Sequence, residues 1–177
     1  MLPDLRIMSG GGASKPPQLY QQTLDLLNVP LVHNYGMTEC PMATMNAPSG
    51  SVEHLTYSDG RSAVDMEARI MRNDGSWADI GEVGEVVLKG KSVCKGYLND
   101  AQTKEAFDDQ GYYHTGDLAK MDEDGYVSIC GRLKDIIIRK GENISALEIE
   151  ELLMDYPGIK GLAIIGLPDE ERGERVC

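Results

Sequence analysis

GRLKDIIIRKGENISALEIE, residues Gly131 to Glu150, decides how the chain is read, because it sets a cationic cluster, a β-branched run, a glycine and a helix start side by side. Arg132, Lys134, Arg139 and Lys140 stand against the single acid Asp135, a local balance of +3 in a chain of formal net charge −12. A small cationic island in an acidic protein attracts a small anionic ligand, since the field at a site is set locally, while the overall charge disfavours nucleic acid. A solvated basic turn is the plainer alternative. Ile136, Ile137 and Ile138 predict a short buried strand and not an amphipathic helix. Gly141 ends it. Ser145 with Glu148 three residues on is a capping-box pattern that predicts a helix to about Tyr156, stopped by Pro157-Gly158. The expected element is strand, glycine turn and capped helix, with backbone N–H groups near a helix N-terminus open to an anion or an extended chain.

The composition, 41% hydrophobic and 26% charged, is that of a soluble globular protein, and no apolar run approaches the roughly 20 residues of a membrane span. Met1-Leu2-Pro3-Asp4 offers neither a basic region nor an apolar one for secretion, so a cytoplasmic location is expected. Cys40, Cys94, Cys130 and Cys177 lack the paired spacing of zinc or redox sites and are expected to be free thiols. His33, His54 and His114 form no ligand pair, which predicts structural or surface roles and no zinc.

Leu5 to Met8 predicts a strand running into Ser9-Gly10-Gly11-Gly12-Ala13-Ser14-Lys15. This resembles a phosphate loop but fails its pattern, because Pro16-Pro17 and not Ser or Thr follows the lysine. Pro16-Pro17 open a helix to about Asn28, with Leu19, Leu24, Leu26 and Leu27 available for its buried side. Val29 to Tyr35 is a β-like segment that delivers Gly36-Met37-Thr38-Glu39 to a tight turn, and the carboxyl ends of strands are where open α/β sheets bind ligands. Taken alone, an exposed Thr-Glu turn is solvated surface. From Ser51 the pattern becomes β-rich: Met66, Ala68 and Ile70 face one way and Asp65, Glu67 and Arg69 the other, with Glu85 to Lys89 a further strand. Asp100 to Phe107 predicts a short helix. Asp117, after Gly116, suits two vicinal hydroxyls or a turn cap. Leu118 to Met121 and Tyr126 to Cys130 predict a hairpin whose acidic loop lacks the spaced oxygens of a calcium site. Ile159 to Ile165 predicts a strand before Gly166-Leu167-Pro168-Asp169 and a charged tail.

Three ordered signals, Asn34-Tyr35-Gly36-Met37-Thr38-Glu39, Tyr113-His114-Thr115-Gly116-Asp117 and Gly131-Arg132-Leu133-Lys134-Asp135, resemble the adenylate-forming, AMP-binding superfamily, and within it the acyl-CoA synthetases. The resemblance implies an α/β and β-rich fold: residues 1–132 the distal part of a large N-terminal domain, with an α/β portion (1–50) and a β-barrel-like subdomain (51–132), then residues 133–177 a hinge and an incomplete, small α+β C-terminal domain. It implies that Gly11, Gly12 and Ala13 line an adenine and acyl pocket, with Asn34, Tyr35, Gly36 and Met37 beside the nucleotide and Tyr35 stacking on adenine. By the same resemblance Thr38 meets a phosphate oxygen, Glu39 binds Mg²⁺, Asp117 holds the ribose and Arg132 the ribose or phosphate through a planar fork. Thr38, Glu39 and Arg132 are the implied catalytic residues, Lys134 the hinge and Gly141 part of the path for the pantetheine arm.

The implied reaction joins a small-molecule carboxylic acid to coenzyme A at the expense of ATP, through an acyl-adenylate, with no nucleic acid partner; fatty acid metabolism is one such setting. Gly141-Glu142-Asn143-Ile144 favours acyl-CoA synthetases over peptide-synthetase adenylation domains, although Lys140 stands where many synthetases have a first glycine. Gly96-Tyr97-Leu98-Asn99 also matches a family stretch and is expected to serve packing. The phosphate loop and the late adenylation lysine of the family are missing, so the chain is expected to be an internal piece of a longer enzyme and inactive alone. The alternative is a non-catalytic module that binds nucleotide or a partner without turnover.

Overall fold

The computed structural model describes residues 4–154 and 156–177. Among these residues twelve strands form three four-stranded sheets, accompanied by four α-helices, a mixed α/β and strand-rich architecture. The chain divides into two compact units, one running up to Thr115 and including Ala119–Ile129, the other taking Gly116–Leu118 and Cys130–Cys177.

In the first unit β1 (Met8–Gly11) pairs in parallel with β2 (Leu31–Met37), which continues antiparallel to β3 (Cys40–Met45) and on to β4 (Arg61–Ser62). The first strand thus begins where the sequence pattern had it end. Helix α1 (Pro17–Leu27) makes the crossover between β1 and β2, opened by proline in its first turn and closed by Asn28 in the left-handed conformation at φ 54°. Its buried side is formed by Tyr20 and Thr23, with Leu24 beside them, whereas Leu19, Leu26 and Leu27 are exposed. The leucine count misleads here because the stripe that meets Leu31, Val32 and Leu55 is formed by Tyr20 and Leu24, with Thr23 buried on the same helix. A helix α2 (Val52–Tyr57) precedes the β-rich region, capped by Ser51, whose Oγ accepts the His54 backbone N–H at 3.1 Å.

Strands β5 (Met66–Met71), β6 (Gly84–Gly90), β7 (Tyr113–Met121) and β8 (Val127–Arg132) follow in that spatial order. Along β5 Ala68 and Ile70 are buried and Glu67 and Arg69 exposed, the alternation the sequence predicts. Val86, Val87 and Leu88 of β6 are wholly buried because the strand is covered on both faces. Val86 and Leu88 join Cys40, Ala43, Ala68, Ile70, Ala119 and Val127, and Val87 packs on the opposite face with Met71 and Tyr112. Helix α3 (Asp100–Ala106) is capped by Asn99, whose side-chain oxygen accepts the Ala101 N–H at 2.9 Å. In the acidic loop, Asp122 Oδ1 accepts the Asp124 and Tyr126 backbone N–H groups at 3.0 and 2.8 Å, a local turn.

The second unit contains a 3-10 turn at Leu133–Asp135, then β9 (Ile136–Arg139), β10 (Glu142–Ser145), α4 (Ala146–Met154), β11 (Gly166–Asp169) and β12 (Gly173–Val176), with the sheet ordered β10-β9-β12-β11. Only Ile137 of the isoleucine run is buried and Ile138 is exposed, so the run is a half-buried strand with alternating faces. Lys140-Gly141 forms a two-residue hairpin loop with both residues at positive φ, 52° and 85°, the type I′ geometry whose twist matches that of paired strands. Gly141 therefore caps a β-hairpin, and a further strand separates it from α4. Ser145 does open that helix, its Oγ accepting the Glu148 N–H at 3.3 Å and donating to the Cys130 carbonyl at 2.7 Å. No strand forms over 159–164. Pairing starts at Ile165, which exchanges two backbone hydrogen bonds with Cys177 at 3.0 and 2.9 Å, and the charged tail becomes β12.

Because Leu88 has no exposed surface and Leu98 is fully exposed, Leu88→Ala is expected to destabilise the chain by about 2–5 kcal/mol, against less than about 0.5 kcal/mol for Leu98→Ala. Urea unfolding midpoints at constant m-value measure the difference.

Candidate functional site

Thr38 and Glu39 form the two-residue tip of the β2–β3 hairpin, with Met37 opposite Cys40 and the register shifting at Gly36. A Cβ on Gly36 would lie 2.4 Å from the Pro41 carbonyl oxygen, so only glycine admits this close approach. The bulge turns the tip so that Thr38 is exposed and Glu39 half-buried. The site is thus a hairpin end, not the open end of a parallel strand.

Glu39 is held at both backbone and side chain. Its carbonyl accepts the Cys94 N–H at 2.7 Å, and its Oε1 accepts the Tyr97 hydroxyl at 3.0 Å. The Tyr113 hydroxyl lies 3.0 Å from that of Tyr97. With the Tyr97 proton on the carboxylate, Tyr113 donates to the Tyr97 oxygen, and the three groups form one directed chain. Tyr97 itself is placed by Thr103, whose Oγ1 accepts the Tyr97 N–H at 2.8 Å. Sequence reasoning assigned the Gly96 to Asn99 stretch to packing. Tyr97 is instead a partner of the candidate cation ligand across 58 positions, and the usable signal was a polar-tipped aromatic between glycine and an N-cap asparagine.

The glycine turn sits beside this hairpin. Gly11 is opposite Asn34 in the β1–β2 register, and a Cβ on Gly11 would come within 2.5 Å of the Asn34 carbonyl. Gly11, Gly12 and Ala13 are exposed, whereas Lys15 is buried. The Lys15 ammonium donates to the Leu55 carbonyl and, at 2.6 Å, to that of Thr56, so it serves the last turn of α2. Burial pushes its pKa down, opposed by the nearby charge of Asp59.

In the second unit Asp117 is buried and Arg132 Nε donates to its Oδ1 at 3.1 Å, while the guanidinium stays largely exposed. Gly116, just before it, sits at φ 72°, a conformation that favours glycine. Lys134 is exposed within the 3-10 turn and Gly141 is exposed at its hairpin tip. The four cysteines are free thiols. The histidines each contact a carboxylate: His33 with Asp59, His54 with Asp122 and His114 with Glu85.

Burial, then the Tyr97 hydroxyl and the Glu39 charge, hold the Tyr113 phenol far above its ordinary 10. A raised folded-state pKa means that above about pH 10 the unfolded chain releases this proton first, so stability falls as pH rises. Tyr113→Phe is expected to flatten that fall and Glu39→Gln to reduce it, measured as urea midpoints between about pH 9 and 11 against the unsubstituted chain.

The family model for AMP-binding enzymes matches residues 1–98. The chain is 38% identical to the mitochondrial medium-chain acyl-CoA ligase ACSF2 of Macaca fascicularis, over 98% of this chain and 29% of that protein. It is 36% identical to the medium-chain fatty-acid–CoA ligase of Escherichia coli K12, over 98% and 31%. ATP-bound MatB from Rhodopseudomonas palustris superposes with a TM-score of 0.89 at 34% identity, over 96% of this chain and 34% of that one. The o-succinylbenzoate CoA synthetase of Bacillus subtilis in complex with its acyl-adenylate also gives 0.89, at 30% identity over 97% and 35%. The chain spans about a third of the length of these relatives. With its hairpin tip, glycine turn and Asp–Arg pair carried on this fold, the chain belongs to the AMP-binding enzyme family.

Proposed function

We propose that this chain is a segment of an AMP-forming acid–thiol ligase acting in the cytoplasm. A carboxylate oxygen attacks the α-phosphorus of ATP and pyrophosphate leaves; the sulfur of coenzyme A then attacks the acyl carbon, AMP leaves with the acyl oxygen, and the thiol proton passes to solvent. The observation that carries this is the Thr38-Glu39 tip, with its carboxylate oriented by Tyr97 at 3.0 Å. In-line displacement at phosphorus needs placed charge more than a covalent protein group.

Glu39 presents one hard oxygen ligand, half-buried and oriented, which suits a cation that takes most of its oxygens from phosphate and water. Mg²⁺ held by Glu39 would supply positive charge to offset that of the phosphates. Thr38 donates its hydroxyl to a phosphate oxygen. The Gly11–Ala13 turn and the Asn34–Met37 segment line the adenine and acyl end, Asp117 accepts from the ribose hydroxyls, and Arg132 orients ribose or phosphate. The relatives named for medium-chain fatty acids, sulfoacetate and indoleacetate match at 36–38% identity, so what this segment shares with them is nucleotide and thiol chemistry. A small carboxylic acid is the proposed substrate class, a fatty acid the first to test.

Residues 133–177 form the start of the small domain, and Lys134 is its hinge. A 3-10 turn between two strands confines a large rotation to one or two backbone dihedrals. Proline there fixes φ and removes an N–H.

In a complete ligase carrying this segment, Glu39→Gln is expected to raise the Mg²⁺ needed for half-maximal ATP–pyrophosphate exchange about tenfold, and Asp117→Ala the apparent KM for ATP by a similar factor. Unchanged values in both remove these assignments. Lys134→Pro is expected to keep ATP–pyrophosphate exchange near normal and to cut CoA thioester formation severely; an equal fall in both half-reactions makes Lys134 an ordinary linker residue.

A further inference from the structure

We propose that His33 is a positioning residue that tethers the Gly11–Ala13 turn, and that its tether holds only while the ring carries hydrogen on both nitrogens. His33 is buried on β2, one residue before Asn34. Its Nε2 lies 3.1 Å from the Ala13 carbonyl oxygen and its Nδ1 2.7 Å from Asp59 Oδ1. A carbonyl only accepts, so Nε2 carries a hydrogen; the 2.7 Å contact to the carboxylate then needs a proton of its own. Neither neutral tautomer makes both bonds to an ionised Asp59.

Asp59 is fixed independently of the ring. Its Oδ2 accepts the Ile129 N–H of β8 at 2.8 Å, its carbonyl accepts the Thr44 hydroxyl at 2.6 Å, and its own N–H donates to the Val127 carbonyl at 2.8 Å. The carboxylate is thus a rigid post between β3 and β8, and His33 extends that post to a turn otherwise exposed. The charged groups gathered here are Asp59, from the segment between α2 and β4, and Lys15, from the loop before α1. Lys15 staples the same loop two residues further on, through the end of α2. The turn therefore has two anchors, the Lys15 ammonium on the end of α2 and the His33 imidazole on Asp59. Only the consequence for ATP rests on assigning Gly11–Ala13 to the nucleotide pocket.

The test uses the 177-residue chain and its His33→Phe, His33→Gln and Asp59→Asn variants. Amide hydrogen exchange at Gly10 to Ser14 is expected to quicken about tenfold in each variant, the loss of one hydrogen bond to a charged partner, while exchange at Val86 to Leu88 reports an intact core. In the unsubstituted chain, protection of the turn, corrected for intrinsic exchange, falls in a step with rising pH that coincides with the His33 ring ¹⁵N titration and is missing from both His33 variants. Unchanged turn protection in folded variants, or protection that persists after the ring loses its second proton, overturns the proposal. ATP affinity by equilibrium dialysis separates the two readings: a quickened turn with unaltered ATP affinity supports the tether and overturns only the assignment of this turn to nucleotide.

Discussion

Cys40 and Ala43, on the strand that returns from the hairpin tip, have no exposed surface because they pack into the same core as Ala68, Ile70, Val86, Leu88, Ala119 and Val127. That shared core is the constraint on which the first unit depends. A β2–β3 hairpin standing alone is marginal in water; packed against β5–β8 it becomes a fixed arm with Thr38 and Glu39 at its end. The contact also brings Cys94 and Tyr97 to Glu39. An apolar core thus decides where a carboxylate oxygen points, and the polar chain through Tyr97 and Tyr113 sets its direction more finely.

How much of this was legible follows from the range of the interactions. Local signals reported themselves: proline at the start of α1, Ser145 with Glu148 at α4, and the alternation along β5 all depend on neighbours a few residues away. Amphipathicity was misjudged where the apolar alphabet was too narrow. Tyr20 and Thr23 line the buried face of α1 while three of four leucines are exposed, since a tyrosine ring and a threonine whose hydroxyl bonds the Leu19 carbonyl at 2.7 Å are both acceptable inside. The isoleucine run was misjudged for the opposite reason. Three β-branched residues guarantee a strand but not two covered faces.

For the candidate site the sequence offers residues by resemblance but says nothing of what supports them. Thr38, Glu39, Asp117 and Arg132 are candidates through the family resemblance, and the structure pairs Asp117 with Arg132 directly. Tyr97 and His33 act through partners 58 and 26 positions away. No periodicity or local motif reports such contacts, because they exist only after the sheets have packed. Supporting residues of this kind are the ones that hold a functional group within the tolerance its chemistry needs.

The two glycine-containing turns divide that tolerance differently. Around Gly11–Ala13 the chain is exposed, yet its flanks are fixed by buried side chains: Lys15 on the end of α2 and His33 on Asp59. At Lys140-Gly141 the backbone conformation supplies the stiffness, since a type I′ turn has little freedom once Arg139 and Glu142 are paired. A lysine at φ 52° costs about 1 kcal/mol more than glycine would there. The cost is tolerated because the Lys140 N–H is bonded to the Arg172 carbonyl at 2.8 Å and β9 is paired on both edges. The first turn is therefore held through side chains from other elements, and the second through the pairing of its own strands.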